Sequence, residues 1–438
     1  MGICSLVALT FFIVSGGPYG LEELLSSAGY STAIALLIVT PIVWSLPVAL
    51  LVGELAGAYP EEGGYVAWVT RGLGPFWGFQ EGWWSLAASV FDMAIYPTLL
   101  VTYLSMLFPV LAGHKMLVGG SLIVGTALVN LSGPKTLGRG AIVATLVLLF
   151  PFLMFAFATL VLGAGVVPLV HAGESANAGS TVGTSVSWGA ALSIVLWNYM
   201  GWDNASTFVT TVEKPNRTYP VGMMITVVLV TLTYLLPVVA LQRRGVDVSR
   251  WQTGEWVLFL RTTMGKTFGV WVAAGGALGA AVTFNALTLS YSRLPLAMAQ
   301  MKMFPRAFQR VNAAGVPILS IGVLSLLYVL SLSLDFKKLV ALDVLLYGAS
   351  LALEFVALIV LRVREPDRQR PFRIPGGMAG LVVLSLVPMG VIAIVGVSIL
   401  GGGDGAGTAV ALSLGVVVTG VVAYLLSRRF VSNAERTI

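Results

Sequence analysis

The sequence has 438 residues, of which 57% are hydrophobic and 10% are charged, with a formal net charge of +6. Soluble domains carry about 25% charged residues, so this composition excludes a soluble globular enzyme. The mean hydropathy is +0.91, and the length allows about twelve membrane passes at roughly 36 residues for each helix and connector. We therefore predict an all-α polytopic membrane protein.

The remaining composition argues against metal, cofactor and nucleic-acid chemistry. Cys4 is the only cysteine, which excludes an intramolecular disulfide and a cysteine metal cluster. His114 and His171 are far apart in the sequence and predict no metal site. The basic residues are scattered over connectors without a basic stripe, so no nucleic-acid interface is expected. We predict no catalytic residue, metal or cofactor, which also argues against a membrane enzyme.

Apolar stretches bounded by charged or turn residues predict twelve transmembrane helices. In chain order they cover residues 3–27, 32–58, 76–108, 116–131, 141–166, 186–212, 221–241, 268–301, 317–334, 339–361, 378–400 and 408–426. The third and eighth exceed the ~20 residues that cross a bilayer, so they are expected to tilt or to extend beyond it.

Lysine and arginine counts predict the orientation. With the N-terminus inside, 16 of the 25 basic residues lie on the cytoplasmic side and 8 on the other, while Arg293 lies within a span. Cytoplasmic connectors carry an excess of such residues. We therefore predict an integral protein of the cell (inner or plasma) membrane with both termini in the cytoplasm.

Two predicted spans contain a sequence that a straight helix would not choose. The first span holds SGGPYG at residues 15–20, and the sixth holds NYMGWDN at residues 198–204. Unwound backbone at membrane depth is tolerated where it lines a cavity. Breaks at matching positions five spans apart predict an inverted-repeat transporter with its substrate between them. The alternative, that glycines only permit close helix packing, accounts poorly for Pro18 and Asp203.

Two carboxylates are placed to meet a substrate. Asp92 lies halfway along the third span and Asp203 lies in the second break, and together they suit a ligand with two ammonium groups. Nearby aromatic faces attract cations and methylene chains. Asp203 has a structural alternative, in which it caps a half-helix by accepting from Ser206 or Thr207. The predicted substrate site comprises Ser15, Gly16, Gly17, Pro18, Tyr19, Asp92, Tyr96, Trp197, Tyr199, Trp202 and Asp203.

The other acids leave more than one interpretation open. Glu54 either carries a proton or meets a loop cation, and Glu354 either carries a proton or pairs with Arg293. Glu81 and Asp343 lie close to the predicted span ends, where solvent contact is favoured over a role in transport. We predict coupling to protons in preference to Na⁺, with the candidates Asp92, Asp203, Glu54 and Glu354. A Na⁺ site would need the span-eight hydroxyls Thr288, Ser290 and Ser292, which in membrane helices commonly bond to the backbone.

The chain also carries the motifs PEEGGY at 60–65, WNYMGWD at 197–203 followed by EKP at 213–215, SR at 292–293, LEF at 353–355 and RPFRIP at 370–375. These motifs resemble those of the amino acid–polyamine–organocation superfamily. The closest resemblance is to the plant polyamine uptake transporters and their bacterial relatives. It rests on SGGP at 15–18, GFQ at 78–80, Asp92, Tyr96-Pro97 and Trp202-Asp203. Superfamily members commonly have a polar segment before the first span, whereas this sequence begins almost directly with it.

The resemblance implies two inverted five-helix repeats, residues 1–166 and 186–361, followed by two peripheral helices in residues 376–427. It implies alternating access with discontinuous helices 1 and 6. The expected function is import of an organic amine, a polyamine such as putrescine or spermidine being favoured over a neutral or cationic amino acid. The expected partners are this substrate, a coupling proton and membrane lipid, and the oligomeric state is left open. A transport-inactive subunit or sensor with this fold is a further alternative.

Overall fold

The computed structural model describes residues 2–61, 63–131, 137–163, 186–401 and 406–436, and all regular secondary structure in these ranges is helical. His171, position 62 of the PEEGGY motif and residues 164–166 of the first predicted repeat lie outside the described residues. Within them, nine helices are long and apolar enough to cross a membrane, and Ile3–Val14, Trp188–Trp197 and Ile318–Ser331 are shorter apolar helices. These elements correspond in order to the twelve predicted passes, which confirms the all-α membrane fold.

The α-helices of the described ranges are numbered in chain order. They are α1 (Ile3–Val14), α2 (Glu22–Thr40), α3 (Leu46–Ala58), α4 (Gly64–Leu73), α5 (Pro75–Leu107), α6 (Lys115–Asn130), α7 (Leu137–Leu160), α8 (Trp188–Trp197), α9 (Pro215–Arg243), α10 (Glu255–Met264), α11 (Lys266–Gln300), α12 (Ile318–Ser331), α13 (Phe336–Arg364), α14 (Gly377–Leu400) and α15 (Ala406–Arg436). A π-helical segment, Pro41–Ser45, joins α2 to α3, and a 3₁₀-helix, Asp203–Thr211, follows α8.

Both predicted helix breaks are confirmed. The first pass stops at Val14, and helix resumes at Glu22. The sixth pass stops at Trp197 and resumes as the 3₁₀-helix at Asp203. Gly17 and Gly201 both have φ of 91°, in the left-handed region that side chains with a Cβ rarely adopt. The glycines therefore let the chain leave the helix at membrane depth.

Two short helices, α4 and α10, were not predicted from the sequence. Each has ten residues, begins after a left-handed glycine (Gly63 or Gly254), and ends at a second glycine with φ near 100° (Gly74 or Gly265). Each is followed at once by a long helix, α5 with 33 residues or α11 with 35. The same local structure thus occurs once in each predicted repeat.

One face of the bundle, called here the arginine face, carries Arg71, Arg362, Arg368 and Arg370. The guanidinium of Arg362 binds both oxygens of the buried Glu54, with Nε 2.8 Å from Oε1, and Arg370 Nε lies 3.4 Å from Oε1. The backbone N–H of Ile374 also donates to Glu54. Glu54 therefore meets two cations, of which Arg362 belongs to the last turn of α13 and only Arg370 comes from a connector, as the sequence-based alternative expected.

Closer to the surface, Arg71 Nε donates to Glu365 from 2.7 Å. Another nitrogen of the same guanidinium pairs with Glu61. The hydrogen bond from Arg71 holds the pKa of Glu365 below its usual range. The stabilising contribution of this pair is present above the unfolded-state pKa of about 4.3 and is lost as the pH falls through the lowered folded-state pKa.

The two layers of this face lead to a stability prediction. Glu54→Gln leaves Arg362 buried without its carboxylate, and losing one partner of a buried pair costs about 3–5 kcal/mol. Glu61→Gln removes a half-exposed ion pair, which contributes about 0–1 kcal/mol. We expect a large fall in the apparent melting temperature of the purified protein for Glu54→Gln and little change for Glu61→Gln. Equal melting temperatures would contradict the assignment of Glu54 as the central partner.

Candidate functional site

Two small adjoining cavities lie between the two helix breaks, with volumes of about 30 and 20 Å³. Val14, Tyr96 and Trp197 line both, and the ring centroids of Tyr96 and Trp197 are 6.3 Å apart. Space of this size holds a few waters. The cavities in this conformation are therefore too small for an organic molecule.

Asp92 of α5 lies at the wall of the second cavity and is held by three donors. The hydroxyls of Tyr96 and Tyr291 donate to it from 3.0 and 3.3 Å, and the indole N–H of Trp197 donates from 3.2 Å. These donors come from helices α5, α11 and α8, so one carboxylate joins three elements. All three donors are neutral groups. The charge of Asp92 is therefore not balanced by any of its three donors, and a cationic ligand could balance it.

Asp203 is placed beside the same cavity through Tyr347 of α13. The Tyr347 hydroxyl donates to Asp203, and the same oxygen accepts from the N–H of Gly201 in the second break. The backbone N–H groups of Asp203 and Asn204 lie beside the carboxylate, and that of Asn204 donates to the carbonyl of Gly201 at 3.2 Å. These backbone groups differ from the N–H groups of Ser206 and Thr207 considered from the sequence. The break, the carboxylate and α13 thus form one hydrogen-bonded unit.

Asp343 is a third carboxylate of the site, and the sequence analysis did not include it. It is buried, lines the second cavity and lies within electrostatic range of Asp92 and Asp203. Its predicted exposure at a span end is wrong because α13 begins at Phe336, so Asp343 is two turns inside the helix. Glu81 was placed at a span end in the same way and is also fully buried.

The first break contributes both cavity wall and anchoring contacts. Ser15, Gly16 and Tyr19 line the first cavity, and the Ser15 hydroxyl accepts from the N–H of Gly17 at 3.1 Å. The carbonyl of Pro18 accepts from the indole N–H of Trp256 in α10 at 3.1 Å. The predicted residues 15–19 therefore lie together, with Gly17 and Pro18 fixing the backbone rather than facing the cavity.

Tyr199 and Trp202 lie in the packing behind the second break. The Tyr199 hydroxyl donates to the carbonyl of Leu37 at 3.0 Å, and its ring packs edge-on against Tyr234. The Trp202 indole N–H donates to the carbonyl of Tyr199 at 2.8 Å. Neither residue is among those that line the two cavities. The sequence analysis placed Tyr199 and Trp202 at the cavity. The second cavity is lined instead by Tyr291, Tyr347 and Asp343.

Glu354 lies in α13, deeper toward the arginine face, and is fully buried. Neither of its oxygens has a hydrogen-bond partner among the described residues. The hydrogen bond with Arg293 that the sequence permitted is not formed, because the Arg293 guanidinium donates to the carbonyl of Thr207 at 3.3 Å. The charges that act on Glu354 are those of Asp203 and Glu81.

The hydroxyls of α11 mostly bond within their own helix. Thr288 donates to the carbonyl of Phe284 at 2.7 Å, and Ser292 donates to that of Leu289 at 3.0 Å. Ser290 instead contacts Thr207 at 3.0 Å and the carbonyl of Asn204 at 3.3 Å. The bonds of Thr288 and Ser292 agree with the backbone-bonded alternative given above, whereas Ser290 bonds to the segment that follows the second break.

The chemistry of the cavity walls favours a cationic organic ligand. The residues that line the two cavities include Asp92, Asp343 and several aromatic rings, and no Lys, Arg or His is among them. The hydroxyl of Thr283, in the first cavity, has no hydrogen-bond partner within the described ranges. The site thus offers negative charge, ring faces and an unused hydroxyl to a bound molecule.

The first break generates a test of its backbone conformation. A Cβ on Gly17 would lie 2.4 Å from Leu148 Cδ2, at a φ of +91°, and such strain costs about 1–3 kcal/mol. We expect Gly17→Ala to lower the apparent melting temperature. Gly120→Ala is the matched control, because its Cβ meets no atom within 4 Å and alanine favours the helix by up to about 1 kcal/mol. Unchanged stability of Gly17→Ala would contradict the strained break.

Comparisons with known proteins agree with the geometry of the site. A sequence profile described as amino acid permease matches residues 5–425. The polyamine transporter RMV1 of Arabidopsis thaliana is 32% identical over 397 residues, which cover 90% of this chain and 79% of that protein. The polyamine transporter PUT1 of Oryza sativa subsp. japonica is 35% identical over 395 residues, covering 89% of this chain and 72% of that protein. These matches confirm the resemblance found from the sequence motifs. The chain is an integral membrane transporter of a small molecule rather than an enzyme, and it belongs to the amino acid permease family.

Proposed function

We propose that this transporter imports a polyamine, such as putrescine or spermidine, by alternating access. The observation that carries the proposal is a group of three carboxylates at an aromatic cavity. Asp92 and Asp343 line the cavity, Asp203 accepts from the cavity-lining Tyr347, and the lining residues include no basic side chain. In the proposal, residues 1–166 and 186–361 are the two inverted repeats and residues 376–427 are peripheral. The paired modules at α4–α5 and α10–α11 support the repeat.

The proposed binding mode places ammonium groups on the carboxylates and methylene groups on the rings. One ammonium group binds Asp92 at the wall of the second cavity, and the other binds Asp203, which lies behind the cavity-lining Tyr347. Tyr96 and Trp197 contact the chain between them, since aromatic faces attract both cations and alkyl groups. The neutral hydroxyl and indole donors stabilise the carboxylates by hydrogen bonds but leave their negative charges in place. A diamine would neutralise those charges. The names of RMV1 and PUT1 as polyamine transporters support this substrate class.

The alternative is an amino-acid permease, as the name of the family profile indicates. An amino acid would place its carboxylate on the N–H groups of Gly16 and Gly17, at the end of α1. The Gly17 N–H is already bonded to the Ser15 hydroxyl at 3.1 Å. A zwitterion with one ammonium group would also leave two of the three carboxylates without a cation. Both observations favour the polyamine.

Proton coupling is the second part of the proposal. A buried carboxylate that faces no cation takes up a proton more readily than one in an ion pair. On this ground Asp92, Asp203 and Glu354 are better proton carriers than Glu54, which Arg362 and Arg370 hold in an ion pair. The self-bonded hydroxyls of α11 also favour protons over Na⁺.

The charge distribution supports the predicted orientation. The arginine face carries four of the sixteen basic residues that the sequence analysis assigned to the cytoplasmic side, so we place it in the cytoplasm. Both termini then lie in the cytoplasm, in the inner or plasma membrane. The cavities open by turns to the two sides, and the arginine face is the exit for an imported substrate.

Substitution of the acids tests the binding mode. In proteoliposomes we expect wild-type protein to take up labelled putrescine and spermidine with saturation. Asp92→Asn or Asp203→Asn should weaken polyamine binding by about tenfold or more, the loss expected for a hydrogen bond to a charged group. Asp367→Asn, in an exposed connector, is the matched control. Uptake of amino acids with polyamines inert, and binding that survives in Asp203→Asn, would establish the amino-acid permease instead.

A second prediction concerns the coupling ion. An inward proton gradient should drive accumulation of polyamine above the external concentration, and a protonophore should abolish it. An imposed Na⁺ gradient at constant pH serves as the control and should have no effect. Accumulation that follows the Na⁺ gradient, or that needs only a counter-substrate inside, would overturn proton symport.

A further inference from the structure

Two packed helices carry carboxylates in the same arrangement. In α5, Glu81 and Asp92 are 11 residues apart, and in α13, Asp343 and Glu354 are also 11 residues apart. This separation is about three turns, so both members of each pair lie on one side of their helix, about 16 Å apart along the axis. The helices α5 and α13 pack against each other. They run in opposite directions, because α5 begins and α13 ends at the arginine face.

The four carboxylates therefore form two levels. Asp92 and Asp343 form the outer level, at the second cavity. Glu81 and Glu354 form the inner level, closer to the arginine face, and they do not line either cavity. Asp203 lies between the levels, within electrostatic range of Asp343, Glu81 and Glu354.

The inner level lacks the set of three hydrogen-bond donors that Asp92 has at the outer level. Both oxygens of Glu354 and Oε2 of Glu81 are buried without a hydrogen-bond partner among the described residues, and so is the hydroxyl of Ser206. The remaining oxygen of Glu81 accepts from Ser85 at 3.2 Å. Buried polar groups are nearly always hydrogen-bonded, and exceptions call for an explanation such as an absent ion or ligand.

The two unpartnered acids lie on the path from the cavity to the arginine face. Tyr65 of α4 lies between the levels, since its hydroxyl is 3.5 Å from Asn204 Oδ1 and it is within electrostatic range of Asp203, Glu81 and Glu354. The helix α4 covers this region, and a Cβ on Gly64 would lie 2.3 Å from the Ser206 hydroxyl. A substrate that leaves toward the arginine face therefore passes Glu81 and Glu354 after it leaves Asp92.

We propose that Glu81 and Glu354 form a second ammonium-binding station, which takes the leading ammonium of a long linear polyamine while its other end remains at Asp92 and Asp343. The proposal rests on the polyamine function proposed above and specifies the length of its preferred substrate. An extended chain advances roughly 1.2 Å per bond, so the terminal nitrogens of spermine are about 16 Å apart and those of putrescine about 6 Å. Spermine therefore spans both levels, and putrescine occupies one.

The test compares spermine with putrescine on the purified full chain in lipid nanodiscs, by calorimetry. We expect the double variant Glu81→Gln/Glu354→Gln to weaken spermine binding by about tenfold or more and to leave putrescine binding nearly unchanged. Asp367→Asn again controls for charge at an exposed site. The variant Glu81→Asp/Glu354→Asp keeps both charges and should recover part of the preference for spermine.

A second measurement uses the wild-type protein alone and so does not depend on folding of a variant. In a series of linear α,ω-diamines, affinity should rise once the chain is long enough to join the two levels. Loss of spermine and putrescine binding in equal measure, or no rise along the series, would overturn the inner station and leave the polyamine function standing. Absence of binding of any polyamine to the wild type would overturn both proposals.

Discussion

An ionised carboxylate inside an apolar helical bundle is costly unless a cation or several donors surround it, and this constraint decides how the helices are joined. On the arginine face, the cations Arg362 and Arg370 surround Glu54, and this contact connects α3 with α13 and the connector that follows. On the opposite face, the buried Glu22 is surrounded by hydrogen-bond donors without a cation. The N–H groups of Gly20 and Gly254 and the hydroxyl of Tyr103 bind it, which joins the first break to α5 and α10. Each face is thus closed around one acid.

The acids between these two closures are satisfied less completely. Asp92 has only neutral donors, Asp203 accepts from the Tyr347 hydroxyl, and Glu354 has no hydrogen-bond partner among the described residues. The donors of Asp92 and Asp203 come from different helices, so an ammonium group that replaces or joins them changes the contacts between those helices. In the proposed transport cycle this explains why binding and helix movement depend on each other. A proton on the same carboxylate would neutralise the charge without spanning two helices.

The sequence predicted the features that depend on local chemistry. Three glycines and a proline in residues 15–20 led to the first break, and the isolated acids Asp92 and Asp203 led to the cavity. Features that depend on tertiary placement were missed. Asp343 was judged by its distance from an assumed helix end, and Tyr199 was assumed to face the cavity because it neighbours the break. The helices α4 and α10 were not predicted, because ten-residue amphipathic segments are too short to give the pattern of a membrane span. The sequence does contain the glycines at both ends of each helix.

These two short helices connect each break with one face of the molecule. The helix α10 contacts the first break, because Trp256 binds the carbonyl of Pro18 and Gly254 binds Glu22. The helix α4 contacts the second break, because Tyr65 reaches Asn204 and Gly64 leaves no room for a Cβ beside Ser206. Each break is therefore packed against a different one of the two short helices. In the proposed alternating-access cycle, movement of one break would release its short helix while the other short helix stays in place, so the two predicted repeats would perform opposite tasks with the same local structure.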